Sequence, residues 1–223
     1  REKLADPSAE RPVVRVDDHE FPVIVRQAEF RDHAAPDENP RGASSACWAQ
    51  LNAGPPTSSG VDTGFLTAPH ALNPQPPKVG TMVDTDRGWS SRSGQGEVLA
   101  IGPVGIEAAV VAPGLVAPNL GSQLNATQNP APWTSVDLIG YITNVSTKIT
   151  SVTDTRGTLN PLVPATVFTA DAGTNGDSGG LVRTNSEGVG IYRGDLVTGT
   201  GVIEGRAQHL AQAALTLDLT LYE

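Results

Sequence analysis

Thr174-Asn175-Gly176-Asp177-Ser178-Gly179-Gly180-Leu181-Val182 sets one serine among three glycines and then runs directly into an apolar pair. Glycine leaves the backbone free to turn sharply and to approach another molecule closely. A nucleophilic serine needs both, because its hydroxyl must be exposed and nearby backbone N–H groups must receive a developing oxyanion. A glycine-rich turn between two strands uses the same residues without any chemistry. The rest of the chain has to separate the two readings.

Outward from this stretch, 24 glycines and 18 prolines in 223 residues interrupt the sequence too often for long helices, except near the two ends. Short apolar runs bounded by turn residues predict strands at 47–51, 64–68, 81–83, 96–101, 106–111, 136–142, 148–152, 165–168, 180–183 and 188–192. A strand pair is expected about the turn at Asp17-Asp18, preceded by a charged arm or short helix over 1–11. Residues 112–132 carry four prolines and little periodicity, which reads as a linker. Ala207, Leu210, Ala211 and Ala214 stand at helical spacing and predict a helix over 206–215. Many short strands with few helices describe a sandwich or barrel class.

Composition narrows the partners. A net charge of −9 with no basic cluster argues against nucleic acid, whose phosphates require a basic face. No run is long and apolar enough to predict a membrane span, and no apolar leader core follows Arg1. The single cysteine, Cys47, excludes an intrachain disulfide and a Cys-rich zinc site. It points to a cytoplasmic setting or to a bacterial protein that does without disulfides. No cofactor and no metal is expected. A chain that opens on Arg1 also reads as one module of a larger protein, with other domains as partners.

Two further segments bear on Ser178. Gly64-Phe65-Leu66-Thr67-Ala68-Pro69-His70 ends an apolar strand on a histidine, and Ile106-Glu107-Ala108-Ala109-Val110-Val111 places a carboxylate beside an apolar strand. That carboxylate must be solvated or paired, since an isolated buried charge is very costly. Together the three segments resemble the chymotrypsin-like (trypsin-fold) serine proteases. Leu66-Thr67-Ala68-Pro69-His70 is similar to that family's histidine segment, Glu107 to Val111 to its acid-led strand, and Gly176 to Gly180 to its nucleophile motif. The order His70, Glu107, Ser178 is the family's order and not that of α/β-hydrolases or subtilisins.

The resemblance implies an all-β fold of two antiparallel barrels with a short C-terminal helix. It implies an arm over 1–15, a barrel over 16–118 with the histidine and acid, a linker over 119–132, and a second barrel with the helix over 133–223. It implies peptide-bond hydrolysis on a polypeptide substrate, with Ser178 as nucleophile, His70 as general base and Glu107 as the orienting carboxylate. Gly176 and Ser178 would supply the oxyanion hole. Asp171, Ala172 and Gly173 would line the specificity pocket, and Tyr192, Arg193 and Gly194 would meet the substrate backbone.

Several residues depart from the family pattern. Pro69 precedes the histidine, Ala71 stands where a cysteine is usual, and Glu107 replaces an aspartate, which calls for a shifted backbone. No Ile-Val-Gly-Gly activation sequence lies near the start, so Asp177 needs another partner, such as an arginine. Asp84, Asp86 and Asp137 compete with Glu107 for the acid role. Two other functions are open to the chain. Asp62-Thr63-Gly64 matches the aspartic-protease triplet, which needs a second copy, and the same fold also serves as a catalytically inactive binding module.

Overall fold

The structure, a computed structural model, describes residues 44–57, 60–73, 75–84, 95–113, 120–153, 165–198, 201 and 203–223, with strand backbone at 13–16, 19–22 and 28–32. The arm expected over 1–11 lies outside the described residues. The first strands are β1 (Val13–Val16), β2 (His19–Pro22), β3 (Ala28–Asp32), β4 (Cys47–Leu51), β5 (Thr63–Thr67), β6 (Met82–Asp84), β7 (Gln95–Ile101) and β8 (Ala109–Ala112). The chain continues with β9 (Ser135–Ile139), β10 (Asn144–Val152), β11 (Thr166–Thr169), β12 (Leu181–Arg183), β13 (Gly188–Thr198) and β14 (Ile203–His209). It ends with the helix α1 (Leu210–Leu217) and β15 (Leu219–Tyr222).

The fold is all-β, with one short helix near the C-terminal end. Strands β12, β9, β10, β11, β14 and β13 pair in that order, and β13 pairs back onto β12. This ring is a closed six-stranded barrel, which leaves its members no unpaired edge. β3 is appended to β13 outside the ring. The other half is an antiparallel sheet in the order β15-β4-β5-β8-β7-β6, and β1 and β2 form a hairpin about residues 17–18.

Burial explains the two sequence patterns. In β9 and β10, Val136, Leu138, Thr147 and Ile149 are buried at every second position, as a strand with one wet face requires. Of these, Val136, Leu138 and Ile149 meet Val167, Val182, Val189, Tyr192 and Ala207 in the barrel core. β5 and β8 are buried along their whole length, so they read as continuous apolar runs. One face, with Phe65, Ala109 and Val111, packs on Leu72, Val83 and Val98. The other, with Leu66, Val110 and Ala112, shares a core with Leu181, Ile191 and Leu210 of the second half. The two halves thus bury a common interface, and β5 and β8 carry it.

Three sequence expectations change. The last strand is not part of the second barrel: β15 crosses back and pairs with β4, Leu219 opposite Leu51 through Tyr222 opposite Trp48. Leu219 and Leu221 are buried there, which gives the crossing its driving force. Within the expected linker, the described residues 120–132 form a packed connection, with Leu124 buried and Gln123 and Ala126 bridged to Tyr222 and Gly188. Residues 206–209 are the end of β14, and the helix starts only at Leu210. The Gln208 and Gln212 side chains tie this joint to Ala165, just before β11: Gln208 Nε2 donates to Ala165 O at 3.2 Å and Ala165 N donates to Gln212 Oε1 at 2.7 Å.

His209 caps that helix, its Nδ1 accepting from Gln212 N at 3.3 Å. Burial lowers the ring from 6.5 to about 4, so it is neutral, as an accepting nitrogen requires. The unfolded chain's histidine gains a proton near 6.5 that the folded one refuses. Stability from this group is therefore complete above that pH and falls as pH drops toward 4. A loss on the order of 3 kcal/mol is expected across that window. Urea unfolding at stepped pH checks it, with His209→Asn flattening the fall because asparagine keeps a capping acceptor.

Candidate active site

Strand pairing brings the histidine and the acid together. β5 and β8 are antiparallel with Thr67 opposite Ala109, so the end of one lies beside the start of the other. His70 follows β5 in a single 3-10 turn, Pro69–Ala71, with Pro69 at its first position, where a missing N–H costs nothing. Pro69 therefore suits the turn that presents His70. Glu107 precedes β8, and the backbone there leaves the strand: Ala108 N donates to Ile106 O at 2.9 Å, closing a three-residue turn on Glu107. Gln208 Oε1 holds that turn by accepting from Glu107 N at 3.2 Å.

The serine comes from the other half. Gly176 and Gly179 have φ of 101° and 94°, values that glycine alone adopts readily. A side chain at Gly179 would also sit 2.1 Å from Ser44 O and 2.2 Å from Thr67 Oγ1. Gly179 is thus a point of close approach between the two halves beside Ser178. Ser44 fastens the same point, with its N donating to Ser178 O at 2.8 Å, its Oγ to Gly176 O at 2.9 Å, and its O accepting from Thr67 Oγ1 at 2.7 Å. Nothing in the sequence around Ser44 signals this.

Asp177 is fully buried, and main-chain amides satisfy it in place of the expected arginine. Its Oδ1 accepts from Ile142 N at 2.8 Å and Thr143 N at 3.1 Å, and its Oδ2 accepts from Thr174 N at 2.8 Å. Charge-assisted bonds of this kind are strong enough to keep a carboxylate buried without a counter-ion. A Cβ on Gly140 would meet Asp177 Oδ1 at 2.3 Å, so the turn after β9 is moulded to this carboxylate.

His70, Glu107 and Ser178 converge. His70 Nε2 is 3.0 Å from Ser178 Oγ, and His70 Nδ1 is 3.5 Å from Glu107 Oε2. Ser178 Oγ also donates to Arg193 O at 2.8 Å. The second carboxylate oxygen, Glu107 Oε1, pairs with Arg193 Nη2 at 3.1 Å. The His70 contact, then the Arg193 and Arg206 charges, hold the Glu107 carboxyl below its usual range, against the burial that pushes it up. Sequence reasoning assigns Arg193 only to the substrate backbone and misses this pair. An arginine inside the apolar run 189–194 needs a carboxylate as much as Glu107 needs a cation, a signal that could have found it.

The remaining expected residues fall in several places. Asp171 is exposed and Ala172 and Gly173 are half-buried, just before the nucleophile loop. Tyr192 is fully buried in the barrel core, its hydroxyl accepting from Gly173 N at 2.7 Å, so its ring offers no substrate contact. Arg193 and Gly194 lie in β13 beside Ser178, and the Arg193 side chain is taken up by Glu107. Asp137 sits on the other barrel, accepting from Ser146 Oγ at 2.6 Å. Asp84 ends β6 at the sheet margin, and Asp86 lies outside the described residues. Asp62 accepts from Gln50 Nε2 and Thr63 Oγ1, which lower its carboxyl and tie it to the start of β5.

No protein-family model and no curated protein matches the chain. Solved structures do. The Nocardiopsis protease NAPase has a TM-score of 0.55 at 18% identity, covering 80% of this chain and 92% of its own. Thermobifida fusca protease A gives 0.55 at 17% identity, with 82% and 96% covered. The Cellulomonas bogoriensis chymotrypsin gives 0.51 at 16%, with 80% and 96% covered. With its closed second barrel, its β5–β8 interface and these matches, the chain has the trypsin-like fold of the bacterial chymotrypsin-like serine proteases.

Proposed function

We propose that the protein is a serine endopeptidase that cleaves polypeptides through an acyl-enzyme on Ser178. The observation that carries the proposal is His70 standing between two partners, Nε2 toward Ser178 Oγ and Nδ1 toward Glu107. The Ser178 hydroxyl has one proton and two acceptors, His70 Nε2 and Arg193 O. Attack begins when that proton passes to Nε2 and Oγ bonds to the substrate carbonyl carbon. Glu107 holds the proton of the other ring nitrogen and balances the imidazolium that results. The amides of Gly176 and Ser178 receive the oxyanion, each worth about 3 kcal/mol of transition-state stabilisation. Collapse releases the amine, which takes the proton from His70, and water repeats the sequence to free the acid.

Asp171, Ala172 and Gly173 form one wall for the residue before the scissile bond, and the main chain of Arg193 and Gly194 guides the substrate backbone. A fluorophosphonate probe tests the reading directly. Labelling at Ser178 is expected, abolished by Ser178→Ala and sharply reduced by His70→Ala. A native protein that never labels would leave the inactive binding module as the better account.

A further inference from the structure

β13 passes the candidate nucleophile edge-on, with Arg193 O accepting the bond from Ser178 Oγ, and it continues outward from Gly194 to Thr198. An extended peptide delivering a carbonyl to Ser178 gains its main-chain bonds along this edge, because a strand edge is a template for an added strand. The opposite edge is filled by β14, Gly194 opposite Arg206 through Val197 opposite Ile203. The near edge is filled as well. β3 pairs there antiparallel, Asp32 opposite Gly194, Arg31 opposite Asp195, Phe30 opposite Leu196, Glu29 opposite Val197 and Ala28 opposite Thr198.

We propose that β3 is a built-in occupant of the substrate-strand site, so that the resting protein is closed to extended polypeptides and opens when β3 leaves β13. The proposal rests on the endopeptidase reading and adds how that site is regulated. Polarity supports it. β3 runs toward Ser178, with its last residue opposite Gly194, next to the carbonyl that Ser178 touches; a substrate's residues before the scissile bond travel the same way. Separability supports it too. The barrel closes through β12 and β13 without β3, which pairs with β13 alone, so its departure opens no core strand. After β3 the chain is fastened again at Ser44, whose N donates to Ser178 O. Gly194 and Asp195 are buried, although they lie on the margin where a substrate would run.

A cross-strand lock tests this in the full chain. Glu29→Cys with Val197→Cys places two cysteines at register partners, and opposed Cα atoms in an antiparallel pair lie within disulfide range. Cys47 does not compete, since burial raises its thiol to about 12. Two probes separate the site from its chemistry: the fluorophosphonate, which needs no strand pairing, and a peptide with four residues before the scissile bond. Oxidation is expected to lower peptide kcat/KM at least ~100-fold relative to the reduced form, with labelling of Ser178 unchanged. As a second variant, Phe30→Pro, which breaks the ladder at its middle, is expected to raise peptide kcat/KM on the order of tenfold. Equal peptide turnover in the oxidised and reduced forms, with labelling intact in both, would overturn the proposal. Loss of labelling in both forms would overturn the endopeptidase reading instead.

Discussion

Ser178→Ala is expected to lower kcat for a peptide substrate by about a millionfold, with little change in stability. The two effects separate because Oγ has two roles. In the proposed reaction it is the reacting atom, so its removal leaves His70 nothing to deprotonate. Its structural work is one hydrogen bond, 2.8 Å to Arg193 O, whose loss costs about 1–2 kcal/mol when the acceptor stays buried. The turn itself is held by other groups: Ser44, the Asp177 carboxylate and the Gly179 N–H, which donates to Tyr192 O at 2.8 Å. Steady-state kinetics beside a urea melt would measure both effects. A variant that kept a tenth of wild-type turnover would end the assignment of Ser178 as nucleophile.

Glu107→Gln is expected to lower kcat by about ten-thousandfold. In the proposed mechanism the carboxylate, 3.5 Å from His70 Nδ1, favours the tautomer protonated there, which leaves Nε2 free to accept the serine proton. An amide in its place can donate toward Nδ1, favouring the tautomer whose Nε2 carries a proton and cannot act as base. A stability loss accompanies the change, because Arg193 keeps its charge and loses the Glu107 carboxylate. That pair is 16% and 26% exposed, so its loss is set at about 1–2 kcal/mol, below that of a fully buried pair. Glu107→Gln with Arg193→Met should regain the stability and none of the activity, which a merely structural Glu107 would not produce. If Glu107→Gln turned over near the wild-type rate while Asp84→Asn did not, the acid would be misassigned.

Local pattern and long-range pattern differed in what they revealed. β9 and β10 alternate because one face is wet, and β5 and β8 do not because both faces are buried; each is visible within four to nine residues. The Gly176–Gly180 loop could be picked out because glycine leaves a compositional mark. The partners of Asp177 left none, since they are main-chain amides that any residue would supply. The strand ending at His209 was hidden for a related reason. Arg206, Gln208 and His209 are polar yet buried, and for Gln208 the reason lies in Ala165, far off in sequence. Alanine and leucine spacing ran unbroken across the joint and extended the helix backward over it.

The crossing of β15 has a consequence for how the molecule comes into being. The sheet that presents His70 and Glu107 takes its outer strand from residues 219–222, paired to β4 more than 160 positions earlier. During synthesis, the first half therefore leaves the ribosome with the edge of β4 uncovered, and it stays so until the last strand of the sheet has been made. The sheet around His70 and Glu107 is therefore complete only after residues 219–222 have been made. Until then the half that bears the histidine and the acid lacks one of its strands, so the candidate centre is among the last parts of this fold to be completed.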